Sequence, residues 1–312
     1  MSIDKKNTTG ERRASYAPFG QPIEAHACEP GLYLVATPIG NLGDISLRAL
    51  ETLAAADCIA CEDTRVTRKL TERYGIGTHL MSYHEHNADE ALPKIIARLA
   101  EGQAVALVSD AGTPLISDPG YRLVRAAVEA GHAVTALPGA SAVLTALSLA
   151  GLPTDRFFFE GFLPPKQGAR QKRIAELASI PATLVLFESG PRLGASLADL
   201  AAGLGPRAAS VCRELTKLHE EIRRGDLASL AHDYAEGQDT QPETRGEIVI
   251  VIAPPPERET ADTDVDELLR NALARVSVKD AVGEVALATG RARRDVYQRA
   301  LDLAKEGDDG ES

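Results

Sequence analysis

The run Ser109-Asp-Ala-Gly-Thr-Pro-Leu-Ile-Ser-Asp-Pro-Gly120 is where this chain is best equipped to hold a ligand. It gathers two glycines, two prolines, two aspartates and two serines between an apolar stretch and a helical pattern. Tight turns and short side chains expose backbone N–H and C=O groups, and in an open α/β sheet ligands sit beyond the carboxyl ends of the strands. Two further loops of small residues leave the same edge, Ala36-Thr-Pro-Ile-Gly-Asn-Leu-Gly-Asp44 and Leu137-Pro-Gly-Ala-Ser141. Three such loops on one rim predict a sizeable organic ligand. The chain has neither the G-x-G-x-x-G spacing of a dinucleotide fold nor the G-K-[ST] of a P-loop, which argues against NAD and ATP.

The elements that must carry these loops alternate. Strands are expected at Leu32 to Ala36, Asp57 to Cys61, His79 to Tyr83, Ala104 to Ser109 and Ala133 to Leu137. Helices are expected at Ser46 to Ala56, Thr64 to Tyr74, Asn87 to Ala100 and Asp118 to Ala130, with another opening after Pro138-Gly139. The alternation implies βαβ units and a mostly parallel sheet over residues 30–150. A second α/β domain with a mixed sheet is expected over 151–254. Its strands are Arg156 to Phe162, Ala182 to Phe187, Ala208 to Leu215, His219 to Arg224 and Gly246 to Ala253. Its helices are Lys166 to Ala178, Pro191 to Ala202 and Gly225 to Ala235. Pro254-Pro-Pro256 reads as a rigid linker. Residues 255–312 then read as a helical, helix-turn-helix-like module ending in an acidic tail. In it Thr263 with Asp266, and Ser277 with Asp280, resemble capping boxes. Residues 1–29 are polar and aperiodic and read as a flexible tail.

Composition narrows the classes. With 4% aromatic residues and no Trp, the cores must be built from Leu, Val, Ile and Ala, which suits a parallel sheet under helices. The net charge of −11 argues against a general nucleic-acid coat, so any RNA contact must use a local basic face. Cys58 and Cys61 form a C-x-x-C, but three residues apart on a strand they face opposite ways, and two further zinc ligands are missing. Free cysteines, no signal peptide and no apolar span suggest a soluble, cytoplasmic protein without a metal.

The segments ATPIGNLGD, CEDTR, Tyr83-His-Glu-His-Asn87, SDAGTPLISDPG and PGAS resemble, in that order, signature segments of the tetrapyrrole methylase family. Gly161-Phe-Leu-Pro-Pro-Lys166, Phe187-Glu-Ser-Gly-Pro-Arg192, Arg213-Glu-Leu-Thr-Lys217 and Gly246-Glu-Ile-Val-Ile250 extend the match, which covers about residues 31 to 253. Within the family it is the bacterial branch acting on small-subunit ribosomal RNA that the loops resemble. The tetrapyrrole branch carries GxGPGD-like first and GDPxxYG-like third loops, where this chain has ATPIGNLGD and SDAGTPLIS. The resemblance implies two α/β domains with a cofactor cleft between them, a homodimer, and S-adenosyl-L-methionine as cofactor. Family contacts fall on Ile39, Asp110, Thr113, Ser141, Ala142 and Phe187, on Arg213 or Glu214, and on Ile248. The implied reaction is 2′-O-methylation of a cytidine in 16S ribosomal RNA, on the assembled small subunit.

A ribose hydroxyl is a poor nucleophile and needs a base. Glu62, Asp63, His84, Glu85 and Asp110 lie at expected strand ends and are the candidates. Asp63 could equally cap the next helix, and His84 and His86 read as hydrogen-bonded or surface side chains before metal ligands. For RNA contact, Lys166, Arg170, Lys172 and Arg173, directly after the Leu-Pro-Pro turn, are preferred over Arg65, Arg68, Lys69 and Arg73. The arginines at 291, 293, 294 and 299 fit solvated faces of a small bundle better than groove binding. The rival readings are a C-methyltransferase of a tetrapyrrole or precorrin, and a non-catalytic ribosome-binding protein of the same fold.

Overall fold

The computed structural model describes residues 14–236, 246–256, 262–289 and 291–308. The tail residues 1–13, Gly290, the acidic end 309–312 and the side chain of Thr263 lie outside the described residues. Contacts divide the chain at Pro254–Pro255 into two units.

The first unit opens with two short strands, β1 (Ser15–Tyr16) and β2 (Ile23–Glu24), paired antiparallel. The alternation then runs as β3 (Gly31–Val35), α1 (Leu47–Ala55), β4 (Cys58–Cys61), α2 (Thr64–Arg73), β5 (Leu80–Ser82), α3 (Ala88–Ala100), β6 (Ala104–Val108), α4 (Tyr121–Glu129), β7 (Val134–Leu137) and α5 (Ala142–Ala150). The strands β5-β4-β6-β3-β7 form one parallel sheet. Every residue of central β6 is buried. Ala106 and Val108 enter one core with Ile59 and Cys61, whereas Val105 and Leu107 enter the opposite core with Ala60. This two-sided burial explains why the strands read as continuous apolar runs. The Cys61 thiol is pushed up to about 11 by burial, the opposite of a reactive thiolate.

The second sheet uses β8 (Phe157–Phe162), β9 (Thr183–Ser189), β10 (Ala208–Arg213), β11 (Glu221–Asp226) and β12 (Glu247–Ile252), with helices α6 (Gln167–Leu177), α7 (Leu193–Leu204) and α8 (Leu227–Glu236). Its order is β11-β10-β12-β9-β8, antiparallel except for β8 beside β9. One face is covered by α6, α7 and α8. The other face packs against α5, whose Val143, Ala146, Leu147 and Ala150 meet Val185, Cys212, Val249 and Val251. The second unit holds α9 (Asp262–Leu273), α10 (Val278–Thr289) and α11 (Arg293–Asp308) around Val265, Leu269, Val282, Val285, Val296 and Ala300.

Four expectations need correction. Residues 14–29 do not form a flexible tail: Tyr16 is buried among α1 and α2 residues, and the Ala17 N–H donates to the Tyr74 carbonyl. One aromatic anchor ties down a segment whose composition is otherwise that of a tail. Pro191 lies in a 3-10 turn, Gly190–Arg192, and α7 starts after it. Asp266 is buried and takes Arg299 at 2.6 Å, so Arg299 is not a solvated arginine; its expected capping pair with Thr263 lies outside the described residues. The fourth concerns the RNA cluster. Arg170 is 5% exposed and held by Asp199 at 2.6 Å, with a further bond to the Pro165 carbonyl. Arg173 is spread over Glu160, at 2.6 and 2.7 Å, and Glu176, at 2.7 Å. Both guanidiniums are consumed by the fold; Lys166 and Lys172 remain exposed.

Burial opposes the charge on Asp199, but Gln171, Arg170 and Gln167 outweigh it and hold the carboxyl below its usual range. Removing one member leaves the other charge unpaired in the α6–α7 core. Arg170→Ala should therefore cost about 3–5 kcal/mol in urea unfolding, whereas Lys172→Ala should cost less than about 0.5 kcal/mol. Equal small losses would show that Arg170 is not a structural charge.

Candidate active site

Three loops of the parallel sheet are fastened to one another before any ligand is considered. Thr37 and Gly112 form an antiparallel bridge with bonds of 2.8 and 3.0 Å, joining the loops after β3 and β6. The Thr37 hydroxyl also donates to the Ser109 carbonyl. Gly112 adopts φ +81°, a left-handed conformation that costs glycine little. A Cβ on Gly139 would stand 2.8 Å from that of Ala36, so the loop after β7 can pass the first loop only with glycine there. The Asp63 N–H donates to Asp110 Oδ1 at 3.0 Å, adding the loop after β4.

These loops face the second sheet across a cleft of about 370 Å3, a size suited to a small organic ligand. Ser141 caps α5 by accepting from Leu144, and Ala142 and Val143 bring the leading N–H groups of that helix to the cleft wall. The opposite wall is aromatic and aliphatic. Phe187 makes edge contacts with Phe159 and Phe162, at 5.0 and 5.7 Å between ring centres, beside Leu215, Ile248 and Val249.

Glu62, Asp110 and Asp118 supply negative charge to the same cleft. Burial raises the Glu62 carboxyl above its usual range; the charges of Asp110 and Asp63 add to this, and His84 opposes it. Asp118 is pushed up to about 6, by burial first and by Glu62 and Asp110 after it, against a hydrogen bond from Ser109. Glu188 also reaches the wall, but its carboxylate is occupied by the Ser196 hydroxyl at 2.6 Å and the Ser189 N–H. Among the described residues no group of three His, Cys, Asp or Glu side chains is arranged to hold a metal ion.

Of the expected cofactor residues, Ile39, Asp110, Thr113, Ser141, Ala142, Phe187 and Ile248 all line the cleft. Arg213 and Glu214 do not. Arg213 turns to Glu221, its partner across β10 and β11, and Glu214 accepts from the Glu247 N–H and Lys217. Leu215 takes the place expected for them. Of the candidate bases, Glu62 and Asp110 reach the cleft and Asp63 and His84 do not. Asp63 caps α2 and grips Arg65 at 2.6 Å, the main reason its carboxyl sits at about 2. His84 lies at the start of a 3-10 turn, its Nδ1 buried without a partner among the described residues, and Glu85 is exposed beside it. Asp118, Phe162 and Glu247 were missed, although each stands within or beside a motif already singled out.

A carboxyl whose folded value is raised costs stability once the unfolded chain ionises. Asp118 should therefore lower stability as pH rises from its ordinary 3.8 towards about 6, with the full cost present above that. Asp118→Asn should melt with wild type at pH 3.5 and above it at pH 7.5, in paired melting scans. A constant offset at both pH values would show that Asp118 does not titrate in this window.

A family model for Tetrapyrrole (Corrin/Porphyrin) Methylases matches residues 31–231, and an RsmI C-terminal HTH domain model matches residues 259–304. A Mesorhizobium japonicum protein named ribosomal RNA small subunit methyltransferase I is 52% identical over 92% of this chain and 98% of its own. One of the same name from Erythrobacter litoralis is 54% identical over 89% and 97%. Among solved structures, diphthine synthase superposes with a TM-score of 0.55 at 20% identity, over 71% of this chain and 89% of that one. A cobalt precorrin-4 methyltransferase gives 0.53 at 17%, over 71% and 94%. These two likenesses speak to fold alone. Family models covering the α/β unit and the helical module, together with relatives above half identity along nearly the whole chain, place this protein in the tetrapyrrole methylase family, alongside the members named ribosomal RNA small subunit methyltransferase I.

Proposed function

We propose that the chain transfers a methyl group from S-adenosyl-L-methionine to the 2′-hydroxyl of a cytidine in 16S ribosomal RNA, acting on the small ribosomal subunit as a cytoplasmic homodimer. The observation that carries this reading is the pairing of opposites within one cleft: three carboxylates facing an aromatic and aliphatic wall, with a capped helix start between them. The fit to the cofactor is chemical. A sulfonium and an ammonium favour a site rich in carboxylates, an adenine favours the Phe187 and Ile248 wall, and a carboxylate favours a helix N-terminus. When bound, the cofactor supplies an electrophilic methyl group. The residues do the remaining work. Glu62, its carboxyl raised above the usual range by burial, accepts the proton of the 2′-hydroxyl as that oxygen bonds to the methyl carbon and the methyl–sulfur bond breaks, its electron pair going to sulfur. Asp110, fixed by the Asp63 N–H, holds positive charge in place. The names of the relatives support RNA of the small subunit as acceptor over a tetrapyrrole. Lys166, at the N-cap of α6, and Lys172, exposed midway along it, are the members of the basic run left to meet it.

The test is transfer of labelled methyl to purified small subunits that lack native modification, followed by nuclease mapping. Label on a single cytidine ribose is the expected result; label on uroporphyrinogen but never on RNA would overturn the reading. Glu62→Gln should lower kcat by about 10²–10⁴ while calorimetric affinity for the cofactor changes little. Asp110→Ala should weaken that affinity by about tenfold or more. Wild-type turnover in Glu62→Gln would remove it as the base.

A further inference from the structure

The cleft does not end at Asp110. A trough of about 470 Å3 shares Ile39, Asp110 and Glu247 with it and runs along α2 past Lys69. Through Gly40, Leu42 and Lys217 it continues into a wider opening of about 970 Å3, bordered by Arg73, Phe19 and Leu218. We infer that this trough is the track of a single-stranded RNA segment, with Lys69 and Arg73 meeting phosphates and Phe19 stacking on a base; the inference rests on the proposed RNA acceptor.

Charge is the first support. In a chain of net charge −11, three cations near the cleft are spent: Arg65 on Asp63, Lys217 on Glu214 and Glu247, Arg213 on Glu221. Arg68, Lys69 and Arg73 are exposed and have no acidic partner among the described residues. Glu72 is the one carboxylate within α2. Arg65, Lys69 and Arg73 follow one another at four-residue spacing, so they rise along one stripe of the helix. This stripe starts beside Asp63, the residue bonded to Asp110, and leads away from the reacting site.

Phe19 is the second support. It is 96% exposed and sits at φ +56°, a backbone region in which a bulky residue is strained. Its neighbours are fixed: Tyr16 and Pro18 are buried, and the Ala17 N–H is bonded to the Tyr74 carbonyl at 2.7 Å. A rigid turn thus presents an aromatic ring to solvent at the rim that Arg73 also borders. Cations tracking a backbone, interleaved with an open aromatic platform, are what a single strand with splayed bases requires. The ring and Leu218, 93% exposed, could instead seat a second copy of the chain, which the experiment separates.

The full-length protein is compared with Lys69→Ala/Arg73→Ala, Phe19→Ala and Phe19→Tyr in three measurements: methyl transfer to unmodified subunits over a salt series, anisotropy of a labelled single-stranded RNA oligomer, and sedimenting mass. The double variant should raise KM at least about tenfold and flatten the slope of log KM against log salt by about 1.4. Its cofactor affinity and kcat should hold. Phe19→Ala should raise KM by about fivefold or more, and Phe19→Tyr should restore it. Unchanged KM, slope and oligomer binding would overturn the track. A change of sedimenting mass in Phe19→Ala, with oligomer binding intact, would assign the patch to a second copy. Silent wild-type transfer alongside variant-sensitive oligomer binding would sink the proposed reaction and leave the track standing.

Discussion

Helix α5 follows the last strand of the parallel sheet in the chain, yet its apolar residues pack on the second sheet. An ordinary crossover helix would have returned to cover the sheet it left. Because α5 does not, Ile39 from the first loop and Leu215 from the loop after β10 are drawn into the same core as Val143 and Leu147. The N-terminus of α5 thereby lies on the wall of the cleft between the first-sheet loops and the second sheet. Everything at the site depends on this seam. Gly139 permits the close passage that launches α5, Ser141 caps it, and the carboxyl ends of the first sheet then confront the aromatic wall of the second.

The same seam sorts the carboxylates by environment. Asp63 and Asp118 are identical in type and both near Asp110, yet one sits at about 2 and the other at about 6. Asp63 faces solvent and is bonded to Arg65 and to the start of α2, so its charged form is favoured. Asp118 turns into the cleft, loses water and meets the charges of Glu62 and Asp110 without a cation. A site that raises carboxyls in this way holds them ready for a positive ligand, which would relieve the repulsion that raised them.

Much of this was readable before any coordinates. The strand and helix alternation, the mixed second sheet and the three ligand loops follow from local pattern, because burial on both faces of a sheet writes apolar runs into the sequence and loop chemistry writes glycine, proline and short polar residues. What was not readable depends on distant partners. Nothing near Arg170 announces Asp199, which lies 29 positions away on the next helix, and so a structural guanidinium passed for an RNA ligand. Arg213, expected at the cofactor, is likewise taken by Glu221, which β11 brings across from it. The ordering of residues from Ala14 onward hinges on Tyr16 finding α1 and α2, a contact no local window contains.

These misreadings have a common direction that bears on how an acidic chain can serve a polyanion. Lys and Arg number 34 against 45 Asp and Glu, so a cation placed at random has an acid within reach. Charge clusters in the sequence therefore overstate basic surface, since pairing cancels part of them, as at Arg65, Arg170 and Arg173. Lys69 and Arg73, unpaired among the described residues on one stripe of α2 beside the cleft, stand out against a repelling surface. Long-range repulsion then works with local attraction: the bulk of the surface turns an RNA away, and the strand is accepted only where the local field reverses sign. Selectivity for one site on a large RNA assembly can rest on that contrast as much as on any base contact.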